Sequence, residues 1–143
     1  MRIPYTEVAP GKFRPLLAVL VHGPAATWLI DGLLDTGADI ILLPTKWAVK
    51  LGLDIGQLHT GATIKSATGQ TVVCKRVDLH FEIRRDSTLI SWVASVEVPI
   101  GAVARPHWGF RGFLEYFSCN FDGPNRWPDL DVGPNLPAGP TPP

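Results

Sequence analysis

The sequence predicts a small, mainly antiparallel all-β domain with one or two short helices. Three observations predict it. Apolar, β-branched segments of strand length recur with turn residues between them. Fourteen prolines and fourteen glycines among 143 residues leave little room for a helical bundle. A hydrophobic share of 45%, with six Phe, five Trp and two Tyr, supplies a core for one domain of this length.

Taken in order, residues 15–22 form an apolar strand, and His22-Gly23-Pro24 turns the chain. Residues 26–34 form a second strand, apolar on both faces and therefore expected to be central. Asp35-Thr36-Gly37-Ala38-Asp39 follows, and residues 40–43 are apolar again. Pro44 suits the first position of a short helix over residues 44–51, with Gly52 as its stop. Trp47 and Leu51 are four apart and pack inward from it.

Residues 61–84 alternate and are rich in Thr and Val. Ser66-Ala67-Thr68-Gly69 interrupts them as a hairpin tip. Residues 89–98 form another strand, expected to pair with 77–83 through the turn Arg84-Arg85-Asp86-Ser87. Beyond 99–106 come His107-Trp108-Gly109, a short helix around 112–117, and a last extended piece, Cys119-Asn120-Phe121. Residues 124–143 hold seven of the fourteen prolines. Each proline removes a backbone donor, so this stretch is expected to be a disordered or extended tail behind a folded domain of residues 1–123.

Composition narrows the function. Thirteen basic and thirteen acidic side chains give a net charge of +0. Such a surface offers no opposing field to nucleic acid or to an anionic membrane. The longest strictly apolar run, residues 16–21, is far short of the ~20 residues that span a bilayer. Met1 to Lys12 lacks an apolar core of signal-peptide length. Cys74 and Cys119 are too few for a disulfide scaffold, and no CxxC or His/Cys cluster offers a metal cage. A cytoplasmic protein with free thiols is expected. His22, His59 and His80 have no sequence companions and read as structural, and Arg76, Arg84 and Arg85 as a solvated face.

The segment that carries chemistry is Leu33-Leu34-Asp35-Thr36-Gly37-Ala38-Asp39. Two apolar residues deliver an acid from a strand into a loop, where its carboxylate can reach a cleft. Thr36 offers a hydroxyl, and Gly37 permits close approach of another backbone. This loop resembles the active-site loop of the aspartic proteases, and Ala38 after Asp-Thr-Gly resembles the retroviral branch, the retropepsins. Other features fall where that family has them. A strand pair precedes the loop, and a Gly-containing hairpin tip stands in the place of the flap. An apolar-Gly step, Trp108-Gly109, leads into a short helix, and a terminal strand follows. Residues 112–123 also resemble small prokaryotic retropepsin-like proteins. The resemblance spans about residues 12–123. Two departures stand out. His107 and Trp108 replace two aliphatic residues, and Phe110 holds a place where the family often has Arg, leaving Arg111 as the candidate partner of Asp39.

The resemblance implies a closed or partly open acid-protease barrel forming half of a two-fold dimer. It implies an aspartic endopeptidase in which one Asp35 from each of two chains activates a water. Asp35, Thr36 and Gly37 are then the catalytic loop, with Thr36 also bonding across the axis. Ala38, Asp39, Ala67, Thr68, Gly69 and His107 would contact an extended peptide or protein substrate. Cys119, Asn120 and Phe121 would join Thr36 in the dimer interface. Ala38 has no hydroxyl to bond the catalytic carboxylate, which points to a weakly rather than strongly acidic optimum. The competing reading is a retropepsin-fold dimerisation or peptide-binding module with little or no turnover, for which the unusual His107-Trp108 wall argues.

Overall fold

The computed structural model describes residues 1–66, 68–101 and 105–139. The chain opens with a small hairpin, β1 (Thr6–Ala9) and β2 (Lys12–Arg14). The main sheet is built from β3 (Leu16–His22), β4 (Thr27–Leu34), β5 (Ile41–Leu42), β6 (His59–Lys65), β7 (Thr71–Arg85), β8 (Thr88–Pro99) and β9 (His107–Trp108). Its order is β3-β4-β9-β5-β8-β7-β6. β3 also pairs with β7, so six strands close into a barrel and β6 projects from it as one arm of a hairpin. Among the described residues no helix is long and apolar enough to cross a membrane.

Strand alternation builds the core. Leu17, Val19 and Val21 of β3 point inward, and so do Ile90, Trp92, Ala94 and Val96 of β8. Between them Trp92, Trp108, Phe81, Phe113 and Phe117 make a continuous aromatic cluster with ring centroids 5.3 to 5.9 Å apart. Both buried indoles find acceptors. Trp92 Nε1 donates to the Gly112 carbonyl and Trp108 Nε1 to the Leu17 carbonyl, each at 2.9 Å. Gly32 is required beneath Trp108, because a Cβ there would lie 2.2 Å from the indole.

The short helix α1 (Thr45–Lys50) starts after Pro44 and stops at Gly52, whose φ of +86° suits glycine. Ala48 and Leu51 are buried and Trp47 packs against the core from its side. The helix around 112–117 is a single 3-10 turn, Leu114–Tyr116. β4 differs from its expected character. Only alternate residues are buried, and Leu29 is 62% exposed, because one face of the strand has no covering layer.

The segment expected to be a tail is partly folded. β10 (Phe117–Asp122) pairs antiparallel with β11 (Trp127–Val132), six residues inside the proline-rich stretch. Leu130 is buried, and the residues before β1 bond the far edge of β11 through Ile3 N–H to Pro128 C=O and Leu130 N–H to Met1 C=O. Only Pro128 lies within the strand, and Pro128 and Leu130 both face inward. Leu136 packs on the core as well. Residues 140–143 lie outside the described ones.

Candidate active site

The Asp35 loop is held by one short parallel pairing. β4 and β9 place Leu33 beside His107 and Leu34 beside Trp108, and the Asp35 N–H donates to the Trp108 carbonyl at 3.2 Å. The buried Leu34 and Trp108 therefore anchor the strand from which Asp35 emerges half-exposed. The loop then folds on itself. Gly37 N–H donates to Asp35 Oδ1 at 2.9 Å and Ala38 N–H to the Asp35 carbonyl at 3.2 Å.

A second loop, residues 109–111, crosses the first. Phe110 N–H donates to the Ala38 carbonyl at 2.8 Å and Arg111 N–H to the Asp39 carbonyl at 2.9 Å. The crossing needs Gly109, where a Cβ would sit 2.2 Å from the Ile40 carbonyl oxygen. The expected Asp39–Arg111 ion pair is not formed among the described residues. The two loops already meet through backbone, and both side chains remain exposed.

His107, expected to line a substrate pocket, sits against the Asp35 carboxylate. Its Nδ1 lies 2.7 Å from Asp35 Oδ2. An ionised carboxylate only accepts, so Nδ1 carries the hydrogen of this bond. Both carboxylate oxygens thus have donors, Gly37 N–H on Oδ1 and His107 on Oδ2. The bond that Ala38 cannot supply to the carboxylate comes from His107. The residue type was visible in the sequence, but its contact follows from the β4–β9 register.

Thr36 and Gly37 are exposed at the loop tip, and Thr36 has no hydrogen-bond partner among the described residues. The β6–β7 hairpin turns at residues 66–70. Ser66 Oγ meets Thr68 Oγ1 at 2.9 Å, and Gly69 adopts φ +82°. Thr68 and Gly69 are exposed, and no hydrogen bond among the described residues joins them to Asp35. Ala67 lies outside the described residues. Cys119, Asn120 and Phe121 lie on β10, whose partner is β11 of the same chain. The opposite edge of β10 carries no ladder among the described residues. Neither thiol suits nucleophilic chemistry, because burial pushes both Cys74 and Cys119 up to about 11. Both cysteines are free.

Two features were not legible beforehand. Glu97 of β8 is 3% exposed and braces the base of the hairpin. Its carboxylate accepts from the Ala62 N–H at 2.9 Å and from Arg76. Arg76 is therefore no mere member of a solvated face. The second is a cluster. His22 and His80, expected to be without companions, face each other across β3 and β7 with rings stacked at 4.5 Å, and Glu82 joins them.

Comparison with known proteins gives a family and a fold. Residues 21–97, just over half the chain, match a family model described as aspartyl protease. Among solved structures, a retropepsin-like aspartic protease from Rickettsia conorii aligns with TM-score 0.60 and 22% identity, covering 90% of this chain and 97% of that one. EIAV protease complexed with the inhibitor HBY-793 aligns with TM-score 0.42 and 23% identity, covering 67% and 81%. No curated protein matches the sequence.

Proposed function

The chain belongs to the aspartyl protease family, and from that premise we propose that it is a homodimeric aspartic endopeptidase with one active site per two chains. The observation that carries the reading is Asp35, presented half-exposed from two crossed loops with both carboxylate oxygens oriented. One chain supplies one such acid. The chemistry needs two carboxylates sharing a proton, one acting as base toward water while the other polarises the scissile carbonyl. A second copy meeting on a two-fold axis supplies the missing acid.

The remaining residues take their places around that pair. Thr36 is exposed at the loop tip and free to bond across the axis. Gly37 leaves room for substrate and Asp39 offers an exposed acceptor to its backbone. Residues 66–70 act as a flap that closes over an extended peptide with apolar side chains near the cut, and closure excludes water. The open edge of β10, with Cys119, Asn120 and Phe121, offers backbone donors and acceptors to the partner chain. Free thiols fit a reducing cytoplasm. No metal or organic cofactor enters this chemistry.

A binding module without turnover is the second reading. The His107 bond favours it, since it occupies a carboxylate oxygen within one protomer. Incubation with a peptide library across pH, beside Asp35→Asn, separates the two. Cleavage that vanishes in the variant supports the endopeptidase. Silence in both proteins leaves the binding module.

A further inference from the structure

The β3–β7 pairing closes the barrel through three residue pairs, Leu20–Glu82, Val21–Phe81 and His22–His80. Val21 and Phe81 point into the core. Alternation therefore puts His22, His80 and Glu82 together on the outer face of the seam. One donor comes from β3 and two from β7. The candidate ligand atoms of the three residues all lie within 4.8 Å of one another.

Each imidazole has one nitrogen bonded to a hydroxyl and one left for an ion, and because the rings stack at 16° one of them must turn for both lone pairs to meet it. Thr27 Oγ1 engages His22 Nδ1 at 3.0 Å, which leaves His22 Nε2 facing Glu82 Oε2 at 3.2 Å. Ser91 Oγ holds His80 Nε2 at 2.6 Å, leaving Nδ1 as the ring's unbonded nitrogen. Such outer partners fix the ring orientation of metal-binding histidines. Both imidazoles are held below their ordinary pKa. Burial is the larger cause in each, followed by Arg84 for His22 and by His22 for His80. A neutral imidazole offers one nitrogen lone pair to a cation.

We propose that His22, His80 and Glu82 bind a divalent first-row transition cation, with Zn²⁺ the best fit to two imidazoles and a carboxylate, and that the ion clamps the barrel seam. Two nitrogens and one oxygen leave a fourth tetrahedral position for water. Bonds of about 2.0–2.2 Å require the donors to close to roughly 3.4 Å apart. His22 has the room to turn, with 30% of its side chain exposed. Arg84 is the opposing charge, since it bonds the other oxygen of Glu82. Its side chain is 66% exposed and can swing into solvent. The site shares no residue with the Asp35 loops, so it stands or falls apart from proteolysis.

The test is direct binding to the full chain after chelator treatment and dialysis. Titrate with Zn²⁺ by calorimetry and with Co²⁺ by visible absorption, and follow the melting temperature. The expected result is one ion per chain, a tetrahedral Co²⁺ spectrum and a raised melting temperature. His22→Gln and His80→Gln should each weaken binding about 100-fold, and Thr27→Val about 10-fold. Arg84→Gln, a change at an exposed side chain, should tighten binding and tests the site without disturbing the seam. His107→Leu should bind as the wild type does. Absence of binding up to about 1 mM, a Kd weaker than a specific site gives, overturns the proposal. So does an affinity that Arg84→Gln and His22→Gln both leave unchanged.

Discussion

Replacing His107 by Leu removes the donor 2.7 Å from Asp35 Oδ2 and leaves the Gly37 N–H on Oδ1. A hydrogen bond to a charged group contributes about 1.5–3 kcal/mol. The two side chains are 27% and 28% exposed. Solvent screening at that exposure puts the effect at the lower end, ~1.5 kcal/mol. In the proposed endopeptidase this bond orients the carboxylate toward its water, so its loss should lower kcat/KM for a fluorogenic peptide about tenfold, the factor that ~1.36 kcal/mol corresponds to. His107→Gln, which keeps an N–H donor, should fall between the other two. A His107→Leu kcat/KM equal to that of the wild type refutes the assignment of His107 to the carboxylate.

Two further outcomes follow from the structure. Trp108→Phe removes the indole bond to the Leu17 carbonyl and leaves a small void beneath the Asp35 loop. The unpaired carbonyl and the void together cost about 3 kcal/mol, or roughly 6–12 °C in melting temperature by calorimetry; a fall under about 2 °C would contradict the core assignment. In metal-free buffer, His22 and His80 should make stability depend on pH. Their folded-state pKa values lie below the ordinary 6.5, so the unfolded chain takes up protons first as pH falls through that value. Their contribution is full above it and is lost as pH falls toward the lowered folded values. Thermal melts from about pH 7.5 to about pH 5 should decline in the wild type and less in His80→Gln, while a flat wild-type curve would count against the shifts.

Much of the barrel was legible because its signals are local. The Leu17-Val19-Val21 alternation marks β3, and Pro44 with Gly52 brackets α1. Asp35-Thr36-Gly37 stands out as the candidate catalytic loop by its residue types alone. What could not be read depends on register between distant strands. His22 and His80 are 58 positions apart and meet only because β3 closes on β7. Glu97 reads as an ordinary strand acid until Ala62 and Arg76 arrive from the hairpin. His107 was singled out by type, yet its contact with Asp35 needs the two-residue β4–β9 pairing. β11 was hidden by composition. The prolines around it drew attention from the inward-facing Pro128 and Leu130. The apolar run in β4 points to burial on both faces, yet Leu29 is exposed and Trp28 is only partly covered, by Trp47 and Lys50 of α1.

The central claim is that one active site is made by two Asp35 side chains from two chains. Wild-type and Asp35→Asn chains, mixed unfolded in equal amounts and refolded together, test it directly. Random pairing leaves about one quarter of the dimers with both acids, so activity per total chain should be about one quarter of the wild type's. Activity of about one half would mean that each chain works alone, and would contradict the account.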